Sequence, residues 1–169
     1  MEKGYVQVYT GDGKGKTTAA LGRGFKVVMV QFLKGMYTGE LESSKKFGDN
    51  FKIMRFAETK KFFWKMSEEE KVELRDRVQH EITYIFHVLK SEACDILILD
   101  EIMGAMHGGL VTEDQVCQMI DTKPEGMELV LTGRNVPDKI FKKADLVTEM
   151  KPLKHYMNKG VPAREGIER

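Results

Sequence analysis

Hydrophobic positions in this chain fall into short unbroken runs, separated by longer stretches in which they recur every three or four residues. Lys26–Phe32 (KVVMVQF) and Asp95–Leu99 (DILIL) are continuous apolar runs, the pattern of central strands buried on both faces of a parallel sheet. Tyr5–Tyr9 (YVQVY) and Phe51–Phe56 (FKIMRF) alternate, and Glu128–Leu131 (ELVL) and Leu146–Met150 (LVTEM) complete the candidate strands. The clearest helix opens at Ser67, where Ser67-Glu68-Glu69-Glu70 has the form of a capping box, and runs to about Lys90. Val78, Ile82, Ile85, Phe86 and Leu89 form its apolar stripe at helical spacing. Thr112–Asp121 predicts a shorter helix, closed by Lys123-Pro124 and Gly126, and Asp138–Lys143 one short turn or helix. Strands alternating with helices predict an α/β fold with a mostly parallel central sheet flanked by helices. No repeat, low-complexity tract or linker divides residues 1–169, so one domain is expected.

Composition narrows the partners. Lys and Arg number 27 against 26 Asp and Glu, a balance that argues against nucleic acid as the main ligand while leaving room for a local basic pocket. No apolar run approaches the roughly 18 residues of a membrane span. No secretory signal is visible before the first strand, so the expected compartment is the cytoplasm. Cys94 and Cys117 stand in apolar surroundings without metal-ligand or redox spacing and read as structural thiols. His80, His87 and His107 show no ligand spacing either.

The candidate chemistry begins where the first strand ends. Gly11-Asp12-Gly13-Lys14-Gly15-Lys16-Thr17-Thr18 joins a strand to a helix, the place of a phosphate-binding P-loop. Glycines let successive N–H groups curl around phosphate oxygens, and the helix start adds its positive dipole end. Lys16 would reach the terminal phosphates and Thr17 would hold Mg²⁺ (or Mn²⁺). Against the strict pattern GxxxxGK[ST], the first glycine position holds Thr10, so the loop is a variant.

Asp100-Glu101 closes a buried strand, where such proteins place a second metal anchor; the alternative is that Asp100 caps the following turn. Arg134, in Thr132-Gly133-Arg134, reads equally as a bidentate phosphate clamp or a solvated arginine. Phe62, Phe63 and Trp64 read as a core cluster or, among Lys60, Lys61 and Lys65, as aromatics free to meet a flat ligand. The donor-rich segment from Lys154 to Gly166 reads by composition as a solvated tail. One crossover is too short. Such a connection takes about a dozen residues or more. Only Thr17–Gly24 separate the loop from the next strand, so either the crossover is unusually short or, the favoured expectation, the sequence lacks part of that helix.

Taken together these motifs resemble the P-loop ATP:corrinoid adenosyltransferases. The resemblance is carried by GKGKTTAA at Gly13–Ala20, VQFLKG at Val30–Gly35, the FxW of Phe62–Trp64, LDE at Leu99–Glu101 and LTGR at Leu131–Arg134. It continues through ADLVTEM, KHY and KG between Ala144 and Gly160 to AREGIE at Ala163–Glu168, in family order over nearly the whole chain. It implies a RecA-like P-loop fold, a homodimer, and attack of a reduced Co(I) corrinoid on C5′ of ATP with release of triphosphate. It further implies that the phosphates lie reversed along the loop. Lys16, Arg134 and a Mg²⁺ held by Thr17 and Glu101 would then neutralise the leaving group.

Phe62 and Trp64 would lie beside the corrin, displacing its lower axial ligand and easing reduction of Co(II) by a flavin-type reductase. Asp12 stands where asparagine is common in the family, and members often extend ahead of the first strand. A P-loop ATPase or regulatory nucleotide-binding module is the competing expectation. A small-molecule kinase would want an arginine-rich lid, and 135–143 supplies lysines but no arginine.

Overall fold

The computed structural model describes residues 2–20, 26–35, 39–56, 61, 65–162 and 164. In chain order the elements are β1 (Val6–Thr10), α1 (Lys16–Ala20), β2 (Val27–Gln31), α2 (Gly39–Lys46), β3 (Phe51–Met54), α3 (Glu68–Ser91) and β4 (Ile96–Asp100). They continue as α4 (Ile102–His107), α5 (Glu113–Thr122), β5 (Glu128–Thr132), α6 (Asp138–Lys143) and β6 (Leu146–Glu149), with a 3-10 turn at Tyr156–Lys159. The strands form one sheet in the order β3-β2-β4-β5-β1-β6, and every pairing is parallel. This is the α/β, RecA-like arrangement. The strand that feeds the glycine loop and the strand that ends in Asp100 are separated by one strand, β5.

The apolar runs explain the layering. In β2, Val28 and Val30 join the larger core, while Val27 and Met29 join the smaller core on the opposite face. Leu97 and Leu99 of β4 alternate with Ile96 and Ile98 in the same way, so these strands can have no polar face. β6 is weaker in the sequence because it is an edge strand whose Leu146 is exposed.

The long helix starts as its capping box predicts: Ser67 Oγ accepts from Glu70 N–H, and Ser67 N–H donates to the Glu70 carboxylate. Its buried stripe is Leu74, Val78, Glu81, Ile82, Ile85, Val88 and Leu89, and Phe86 is only half-buried. Phe86 therefore lies at the margin of the stripe, and Val88 takes the deeper place.

Two helices carry no periodic signal. α2 reads GELESSKK, with one apolar residue, and α4 is six residues long and follows β4 directly. The crossover after the glycine loop is described only as far as Ala20; the expected omission falls at 21–25, outside the described residues.

Candidate active site at the carboxyl edge of the sheet

The carboxyl ends of parallel strands gather the functional candidates, because each chain leaves its strand there and must turn. The loop after β1 turns at Gly15, whose φ of 113° is open to glycine at little cost. At Gly13 the reason is space. Its N–H donates to Met150 O at 2.6 Å, and a Cβ there would stand 2.4 Å from that same oxygen. The segment leaving β6 thus locks the loop. Gly13→Ala is expected to cost about 1–3 kcal/mol of stability by overpacking and to weaken ATP binding by about 10-fold or more. Denaturant unfolding and calorimetric titration check both, and unchanged ATP affinity would contradict the locking role.

Lys16 opens α1, and its ammonium donates to Gly13 O at 2.9 Å, spanning the loop from within. Burial lowers its pKa; Glu101 opposes that shift and Arg134 adds to it. Thr17 follows, its hydroxyl donating to Asp100 Oδ1 at 2.8 Å. Lone pairs of the Thr17 oxygen are thereby left for another ligand.

Asp100, wholly buried at the end of β4, collects further donors. Thr132 of the intervening β5 donates to Oδ1 at 2.7 Å, and Gln31 of β2 donates to Oδ2 at 3.1 Å. The Lys34 ammonium lies 2.7 Å from Oδ2. Burial alone would push the Asp100 carboxyl up. Lys34 and the hydroxyls of Thr132 and Thr17 outweigh it and hold the group below the ordinary carboxylate value.

Glu101 is the contrast. Burial and the Asp100 charge raise its pKa, despite Lys16, Lys34 and Arg134 nearby. Its backbone takes the left-handed conformation at φ 61°, and its N–H donates to Thr132 Oγ1 at 3.0 Å. A half-buried carboxylate that resists ionisation is one a cation would stabilise. Glu101 and the Thr17 hydroxyl are hard oxygen donors, the set that suits Mg²⁺. Among the described residues no three His, Cys, Asp or Glu side chains gather as an all-protein metal cage. A site completed by phosphates fits this donor set, since Mg²⁺ usually takes one or two carboxylates plus substrate oxygens.

Arg134 follows β5 on the same edge. It is largely exposed and lies 3.7 Å from Asp12 of the loop, close enough to reach a bound anion. Lys14 and the segment after β6 border an open cleft of about 330 Å³, lined by Gly13, Lys14 and Lys151–Tyr156. The segment is as open to solvent as its composition predicts, with Lys154 and Lys159 exposed and His155 and Tyr156 half-buried, but its start runs beside the loop, and the Arg164 guanidinium lies 5.0 Å from the Tyr156 ring centre. Composition could not show this course, because it is set by main-chain contact between Gly13 and Met150. Lys34, Gln31 and Thr132 also carry no individual motif signal, although VQFLKG and LTGR contain them.

Phe62, Phe63 and Trp64 lie outside the described residues, as do Ala163 and residues 165–169. Cys94 is buried, and burial pushes its thiol up to about 11, so it is no nucleophile at neutral pH.

Residues 2–169 match the family model described as ATP:corrinoid adenosyltransferase BtuR/CobO/CobP. The chain belongs to the ATP:corrinoid adenosyltransferase family. A corrinoid adenosyltransferase of Escherichia coli K12 is 32% identical over 99% of this chain and 86% of its own length. One from a Sinorhizobium species is 34% identical over 99% of the chain and 81% of its own length. Corrinoid adenosyltransferase CobA of Salmonella typhimurium is 30% identical over 99% and 86%. Family membership makes the chain an enzyme of corrinoid adenosylation, an ATP-dependent step of cobalamin synthesis or salvage. Among the described residues no helix is long and apolar enough to cross a membrane.

Proposed function

We propose that the edge built from Gly11–Thr18, Asp100-Glu101 and Arg134 grips ATP by its triphosphate and presents C5′ to a Co(I) corrinoid. The new bond joins cobalt to C5′. The C5′–O5′ bond breaks, its electron pair leaves with the triphosphate, and Co(I) is formally oxidised to Co(III). The nucleophile belongs to the corrinoid, so the protein supplies binding, orientation and charge. The carrying observation is the convergence of Lys16, Thr17, Glu101 and Arg134 on one sheet edge.

An ordinary hydrolase must expose the γ-phosphate to water. Here the phosphates must be neutralised as a leaving group while C5′ stays open, a requirement met by phosphates running in reverse along the loop. Lys16 and Arg134 bear on the developing charge, the backbone of Gly11, Asp12, Gly13, Lys14, Gly15 and Thr18 frames the phosphates, and Thr17 and Glu101 hold Mg²⁺, with Asp100 behind Thr17. That ion supplies charge neutralisation to the triphosphate.

On this reading residues 1–169 act as one nucleotide-binding domain, in the cytoplasm, as a homodimer served by a flavin-type reductase. Phe62 and Trp64 face the corrin, a role that rests on the family resemblance. Incubation with ATP, Mg²⁺ and chemically reduced cobalamin is expected to yield inorganic triphosphate and a light-sensitive corrinoid; orthophosphate alone would discard the proposal. Trp64→Ala is expected to slow the reaction from Co(II) with a reduced flavin more than from prereduced Co(I). Equal losses in the two assays would remove Trp64 from axial-ligand displacement.

A further inference from the structure

The Asp100 carboxylate is surrounded by donors of the protein itself. Oδ1 accepts from Thr17 at 2.8 Å and from Thr132 at 2.7 Å. Oδ2 accepts from Gln31 at 3.1 Å and lies 2.7 Å from the Lys34 ammonium. A carboxylate offers about four lone-pair sites, and these donors take them all.

The two side chains on Oδ2 are themselves held. Arg55 Nε donates to Gln31 Oε1 at 2.8 Å, which turns the Gln31 amide so that its NH₂ faces Asp100. Glu40, in the first turn of α2, lies 3.0 Å from Lys34 Nζ. Leu33 holds φ at 59°, a left-handed conformation costing a leucine about 1–2 kcal/mol. That turn, directly after Phe32 N–H donates to Asp100 O, returns Lys34 over the end of β4. Backbone strain spent on one lysine contact marks the contact as built.

We propose that Lys34 is the resident counter-cation of Asp100. It makes Asp100 a positioning residue that fixes the Thr17 hydroxyl, and it bars a free divalent cation from that carboxylate. The cation then enters only with the nucleotide's phosphates. This rests on reading the glycine loop as the ATP site. A lone divalent ion approaching Glu101 meets a carboxylate whose charge burial disfavours, with the positive charges of Lys16, Lys34 and Arg134 around it. Phosphates bring the negative charge and the oxygen ligands that this edge lacks.

Mn²⁺ titration of the nucleotide-free protein, followed by electron paramagnetic resonance, tests the proposal. K34M is expected to bind Mn²⁺ about 10-fold or more tighter than wild type, an effect of the size that metal-site neighbours exert. K34R should stay at the wild-type level, and K34M/D100N should lose the gain, which assigns the new ligand to Asp100. Equal Mn²⁺ affinity in wild type and K34M overturns the proposal.

Thermal unfolding covers the case in which K34M does not fold. K34M/D100N should then be the more stable variant, because the carboxylate is what requires Lys34; a double variant no more stable than K34M overturns the pairing. Magnesium–ATP binding by wild type is measured on the same samples. Its absence would strike the ATP-site reading, while the Mn²⁺ comparison would still judge Lys34.

Discussion

Lys16→Ala is expected to lower corrinoid adenosylation by about 10²–10³-fold or more, the usual cost of removing one preorganised group from a developing charge. The loss should fall on kcat with saturating ATP and prereduced cobalamin, because the leaving triphosphate gathers charge as C5′–O5′ breaks. Its location makes Lys16 hard to replace. The ammonium is held 2.9 Å from Gly13 O, inside the loop it serves, and burial has already weakened its hold on the proton. A bound triphosphate would oppose that shift, because nearby negative charge favours the charged ammonium. Exposed Arg134, paired only at 3.7 Å with Asp12, should matter less. Far-ultraviolet circular dichroism should show an intact fold in the alanine variant. An unchanged kcat would remove Lys16 from the chemistry.

The loop was legible because its chemistry is local. Alternating glycines, a lysine and a threonine at a strand–helix junction need no distant partner to be recognised. The central strands were legible for a related reason: a run such as Val27–Gln31, buried at every position, has no alternation to confuse. What stayed hidden depends on residues far apart in sequence. Thr132 reaches Asp100 only because β5 lies between β4 and β1, an order that strand composition does not state. Lys34 reads as one more lysine until the left-handed turn at Leu33 brings it to Asp100. The course of Lys151–Tyr156 beside Gly13 is a main-chain event with no side-chain pattern. Helix α2 leaves no period in the sequence because its polar residues bury too little.

Asp100→Ala is expected to cost about 3–5 kcal/mol of stability, the range seen when one partner of a buried pair is removed. Four donors lose their acceptor together, and Lys34, whose side chain is 19% exposed, loses its closest counter-charge and keeps Glu40 at 3.0 Å. Glu101→Gln should behave in the opposite sense. It removes a carboxylate that burial disfavours, so stability should hold or rise slightly while Mg²⁺-dependent turnover falls. The pH dependence separates the two residues. Asp100 has a lowered pKa, so its contribution is present above the ordinary carboxylate value and is lost as pH falls through the still lower folded value. Glu101 has a raised pKa, so the folded state holds its proton longer and loses stability as pH rises through that window. Denaturant unfolding from pH 7 down to about pH 3 should therefore show an acid limb that flattens in Asp100→Ala. In Glu101→Gln that limb should steepen, because the opposing proton uptake is gone. Matching acid limbs in the two variants would mean that the adjacent carboxylates share one environment, and the division between a positioning aspartate and a metal-binding glutamate would fail.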